Sequence, residues 1–121
     1  MSNAPDRYEK FVVPEGVKKI SFERDTKVTN AGTFTIQRED HTIGNAIRCR
    51  ALEDKNVVFT GYKVPHPLEY QMLVKILTNG KKSPIQVMQE SLQHISSTVH
   101  SIHSQFESEA QRIKHGEEVP Y

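Results

Sequence analysis

Apolar residues recur with two different periods along this chain, and the changes of period mark out its elements. Residues 18–23 alternate, with Ile20 and Phe22 on one face, which predicts a first strand. Residues 33–38 alternate again, with Phe34 and Ile36 inward and Thr33, Thr35 and Gln37 outward. The stretch 25–32 between them holds Asn30 and Gly32 and is loop-like. The period then lengthens: Ile43, Ala46, Ile47 and Ala51 fall at helical spacing behind Asp40, a good N-cap, and predict a helix over 41–53. Residues 57–64 are β-branched and aromatic, a third strand stopped by Pro65 and Pro67. A fourth strand covers 70–78, apolar on both faces near Leu73, and Asn79-Gly80 makes a turn. The ends, 1–16 and 116–121, read as an irregular arm and a tail.

The last helix has the strongest pattern. Ser83 as N-cap, Pro84 at the first helical position and Gln86 three after the cap form a start signal. Ile85, Met88, Leu92, Ile95, Val99, Ile102 and Phe106 then follow in steps of three and four, and Ile113 returns to register after Glu109 interrupts. This is a coiled-coil-like seam. A helix over 84–115 would be about 48 Å long, whereas eight-residue strands span only about 26 Å. Roughly 20 Å of helix therefore overhangs the sheet, and Val99, Ile102 and Phe106 on it need a partner. Each forgoes about 1.5–3 kcal/mol if left wet.

The order β-β-α-β-β-α implies a single two-layer α+β domain over 1–121, a four-stranded antiparallel sheet with two helices on one face. Gly44 is out of place in the first turns of a helix, where it costs about 1 kcal/mol relative to alanine. Its presence predicts that another backbone comes close there.

Composition narrows the function. The chain has 121 residues, 26% charged, with a formal net charge of +1, which argues against a nucleic-acid footprint of its own. Lys18-Lys19 and Lys81-Lys82 are expected as solvated strand ends. The one cysteine, Cys49, excludes an internal disulfide and fits a reducing compartment; it reads as a buried or half-buried structural thiol. No segment has the length and apolarity of a signal peptide or membrane span, so an intracellular, non-membrane protein is expected.

Catalytic chemistry is sparse. His100, His103 and Glu107 share one side of the last helix at a spacing that suits metal ligands, but the plainer reading is a polar flank of the seam. His41 packs or caps in its helix, and His66 is a loop residue between prolines. His94 and His115 read as exposed helix residues. Asn79-Gly80-Lys81-Lys82-Ser83 lacks the upstream glycine of a phosphate-binding loop, and reads as a strand-to-helix turn. Glu39-Asp40 favour the positive end of the first helix. Arg50 falls amid Ile43, Ala46 and Ile47 and should snorkel or meet a carboxylate, while Arg48 lies at the edge of that face.

Three blocks carry a family resemblance. DHTIGNAIR (40–48) resembles the alpha motif by which alpha-like subunits of multisubunit RNA polymerases pair. GYKVPHPLEYQ (61–71) and NAPDRYEKF (3–11) resemble the small alpha-like subunits of the eukaryotic enzymes, in the polymerase II form rather than the form shared by polymerases I and III. The resemblance implies the same α+β fold, a long C-terminal dimerisation helix, a nuclear location and no cofactor. It also implies a noncatalytic role: heterodimerisation with the larger alpha-like subunit, giving a platform for the second-largest subunit. The expected joint comprises Ile43, Gly44, Ala46 and Ile47 with Ile85, Met88, Leu92, Ile95, Val99, Ile102 and Phe106. Arg48 matches an arginine associated with the large subunits, although Cys49 stands where bacterial alpha commonly has a second arginine; His66 is a further candidate contact. The nearest rival is the small alpha-like subunit shared by polymerases I and III; rivals of other classes are a free-standing homodimeric binding module built on the same seam and a small enzyme with a histidine site.

Overall fold

A computed structural model describes residues 3–116. Four strands, β1 (Ile20–Arg24), β2 (Ala31–Gln37), β3 (Val57–Lys63) and β4 (Gln71–Thr78), form one antiparallel sheet in the order β1-β2-β4-β3. Helix α1 (His41–Leu52) connects β2 to β3, which flank β4, and α2 (Pro84–Lys114) follows β4. The expected two-layer arrangement is therefore present.

Register places even-numbered residues of the two central strands on the helix side: Phe34 lies opposite Val74 and Ile36 opposite Met72. These four are buried with Ile76, and Ile47 and Ala51 of α1 and Val87 and Met88 of α2 close over them. The sheet supplies one apolar face and each helix one stripe, the requirement for a two-layer core.

Several boundaries differ from the sequence reading. Strand β1 starts at Ile20, and Ile20 is exposed because it ends an edge strand; only Phe22 reaches inward, its ring centroid 4.8 Å from that of Phe34. Ala31 and Gly32 belong to β2 rather than to the loop, paired with Leu77 and Ile76. The arm is not wholly irregular: residues Arg7–Lys10 form a 3-10 turn. The Arg38 side chain, through Nε, donates to the Val12 carbonyl at 3.2 Å and ties the arm to the sheet end. Of the tail, 117–121 lie outside the described residues.

Arg38 and Tyr70 meet where β2 ends and β4 begins, both with positive φ (58° and 44°). The Arg38 amide donates to the Tyr70 carbonyl at 2.6 Å, and its guanidinium lies 5.9 Å from the Tyr70 ring centroid. These contacts offset a left-handed conformation that costs non-glycine residues about 1–2 kcal/mol each. Neither residue type signals such a turn, so sequence reasoning missed it.

Candidate dimerisation surface

Both helices begin as their sequences direct. The Asp40 carboxylate accepts from the Thr42 amide at 3.0 Å, and Ser83 Oγ accepts from the Gln86 amide at 3.1 Å. The Gln86 side chain does not turn back to complete a reciprocal cap; its Nε2 donates to Glu90 at 3.3 Å.

Helix α1 lies flat on its own sheet because of Gly44. A Cβ there would stand 2.6 Å from Met72 Sδ and 2.6 Å from Tyr62 Cδ2. The close approach inferred from the sequence is real, but the atoms that approach are side chains of β3 and β4 rather than a backbone. Next to it, His41 Nδ1 and the Tyr62 hydroxyl share a 2.9 Å hydrogen bond, with the rings edge to face. This contact between α1 and β3 was not foreseen.

The seam of α2 divides in two. Its first half rests on the chain's own core: Met88 is buried, and Leu92 and Ile95 are half-buried against it. The innermost positions also include Pro84, Val87 and Ser91, so the buried stripe is rotated slightly from the expected seam and Ile85 is left exposed. Every residue from 96 to 109 is exposed. Val99, Ile102 and Phe106 are 59%, 63% and 73% exposed, and Ile113 is 58% exposed. The 31 residues of α2 span about 46 Å, so the overhang expected from its length is present.

Three residues expected at the joint are enclosed by the chain itself. Gly44, Ile47 and Met88 are buried in the monomer, so they support the surface rather than form it. The reason is geometric: the centre of an apolar helical stripe goes to its own sheet, and only its margins and its overhang remain. Accessible residues are Ile43 and Ile85, half-buried Ala46, Leu92 and Ile95, and the overhang trio.

The other candidates are dispersed. Arg48 is half-buried on α1, its Nη2 donating to Asn45 Oδ1 at 2.8 Å. His66 is in the exposed loop after β3, where its Nδ1 accepts from the Leu68 amide at 3.1 Å. Arg50 meets Glu53 at 2.5 Å, the carboxylate its position called for. Cys49 is exposed rather than buried, since it falls on the outer side of α1. His103 Nε2 lies 3.2 Å from Glu107, the pair's polar-flank role on α2.

Of the lysine pairs expected as solvated ends, Lys18 and Lys81 are exposed, while one lysine of each pair meets a carboxylate. Lys19 meets Glu39 at 2.9 Å. Lys82 bridges Asp54, beyond α1, and Glu90 on α2, at 2.9 and 2.6 Å. Hydrogen bonds from Lys82 hold both carboxyls below their ordinary values, and those to Glu90 and then Asp54 raise Lys82.

The chain is similar to known proteins in sequence and in fold. The family model described as the RNA polymerase Rpb3/Rpb11 dimerisation domain matches residues 31–105, from β2 through most of the overhang. The chain is 44% identical over 110 residues to DNA-directed RNA polymerase II subunit rpb11 of Dictyostelium discoideum, covering 91% of this chain and 92% of that one. It is 36% identical over 104 residues to the RPB11 subunit of Schizosaccharomyces pombe, covering 86% and 84% respectively. In fold it is similar to DNA-directed RNA polymerase subunit L of Thermoplasma acidophilum, with a TM-score of 0.68 at 19% identity, over 84% of this chain and all of that one.

Proposed function

The chain belongs to the RNA polymerase Rpb3/Rpb11 dimerisation-domain family, and from that premise we propose that it is the noncatalytic half of a heterodimer on which polymerase II is assembled. It is a subunit of DNA-directed RNA polymerase, and its relatives carry the polymerase II name rather than that of a subunit shared by polymerases I and III. The proposed partner is the larger alpha-like subunit, and the pair serves as a platform for the second-largest subunit in the nucleus. Nucleotidyl transfer belongs to the large subunits, and the role invokes no cofactor.

One observation carries this reading: the apolar stripe of α2 runs on past its own sheet, exposing Val99, Ile102 and Phe106. Burying three such side chains is worth about 5–9 kcal/mol in total before the costs of association. Ile43, Ala46, Ile85, Leu92 and Ile95 would rim the joint. Arg48 and His66, accessible but on separate elements, are the candidate contacts to the large subunits.

The test is co-expression with the larger alpha-like subunit. Ile102→Asp with Phe106→Asp should abolish pairing while the circular dichroism of the sheet persists. Pairing at unchanged affinity would overturn the proposal.

A further inference from the structure

Residues 91–106 hold no aspartate, glutamate, lysine or arginine. At the chain's overall 26% charged, about four would be expected in sixteen positions. The gap takes in residues 96–106 of the fully exposed part of α2, where a solvated helix ordinarily keeps a charged face. In paired helices the positions beside the seam usually carry the ion pairs that set partner choice.

Here those positions hold no aspartate, glutamate, lysine or arginine. On a helical wheel, Ser96 and His103 border the Val99–Ile102–Phe106 stripe on one side, and Thr98 and Gln105 on the other. Thr98 Oγ1 donates to the His94 carbonyl at 3.0 Å, and Gln105 Nε2 donates to Ser101 Oγ at 3.0 Å. The nearest fixed charges, Glu90 and Glu107, lie just outside the gap and are engaged by Lys82 and His103.

We infer that the overhang joins its partner without ion pairs, against a surface that is apolar along its centre and electrically neutral where it meets Thr98 and Gln105. A charged group set against this stretch would lose water and find no counter-charge, so it would weaken the pairing. Where charge patterns commonly exclude wrong partners, discrimination at this joint falls to shape. The inference rests on the heterodimer reading and adds the chemistry of the partner's face.

The experiment introduces both signs of charge at one place. Gln105→Glu and Gln105→Lys, and likewise Thr98→Glu and Thr98→Lys, are paired with the larger alpha-like subunit at pH 7.5, with helicity checked by circular dichroism. None of these side chains enters the chain's own core, so folding is preserved. Opposite a neutral surface, either sign weakens pairing by about five- to fiftyfold, and the two signs agree within about threefold. Tighter binding with one sign, or a more than tenfold difference between signs, overturns the inference and leaves the heterodimer standing. Failure of the unaltered chain to pair at all overturns both.

Discussion

Gly44 and Tyr62 are in such close apposition that a β-carbon on the glycine would stand 2.6 Å from the ring. Met72 Sδ closes the same space from β4. Gly44→Ala would gain about 1 kcal/mol of helix propensity but overpack a buried site, which typically costs about 1–3 kcal/mol. The Tyr62 ring is half-buried and can swing, so a net loss of about 1 kcal/mol is expected. Because the clash is internal, chemical denaturation should detect it, and any weakening of pairing should follow from the altered seat of α1. A stabilised variant would show that the ring and the methionine move aside freely.

The division of the seam sets Met88 against Phe106. Met88→Ala removes a fully enclosed side chain and should cost about 2–4 kcal/mol of fold stability. Phe106→Ala should leave stability within about 0.5 kcal/mol, since the ring is exposed, yet weaken pairing by tenfold or more. Denaturation midpoints and dissociation constants measured on both variants separate the two roles. Equal effects of the two on stability would contradict the observed burial.

Lys82 links the end of α1 to α2, and its removal should have a pH signature. Asp54 and Glu90 titrate below their ordinary values of 3.8 and 4.5 because Lys82 donates to them. Their contribution is present above those values and is lost as pH falls through the depressed ones. Lys82 is raised above 10.5, so its contribution is present below that value and is lost as pH rises through the raised one. The stability gap between the unaltered chain and Lys82→Met should thus be widest near neutral pH and narrow as pH falls below 4.5 and 3.8 through the depressed carboxyl values. A gap that stays constant into acid would show that these ion pairs do not carry it.

Thr60 is buried on β3, and its hydroxyl finds no hydrogen-bond partner among the described residues. Thr60→Val keeps the β-branched shape and removes an unpaired polar group, which is worth about 1 kcal/mol of stability. The melting temperature should rise by a few degrees. A fall would reveal a hydrogen bond to the hydroxyl.

Local rules made much of the fold legible. Alternation in residues 33–38 and 70–78 places the central strands because each has one buried face of period two. Asp40 and Ser83 mark both helix starts because short oxygen-bearing side chains satisfy the orphan amides there. Ile20 does share the face of Phe22, opposite Ile36, but alternation does not reveal that this strand lies at an edge, where Ile20 stays exposed. Lys82 was read as solvated because Asp54 and Glu90 come to it only across the fold. Cys49 is exposed although free cysteines are usually buried, because its place on α1 faces outward and residue type does not reveal that.

The sequence by itself determined that α2 is one long helix with one apolar stripe, and that a sheet of short strands cannot cover it. Both follow from rise per residue and side-chain period, which are local quantities. Only the tertiary structure decided where the stripe changes owner: Met88 belongs to this chain's core, while Val99, Ile102 and Phe106 lie bare. It likewise decided that Gly44 serves the chain's own sheet. An apolar pattern records that a residue is to be buried, but which surface buries it depends on where the sheet stops, and that is set by strand order and helix placement together.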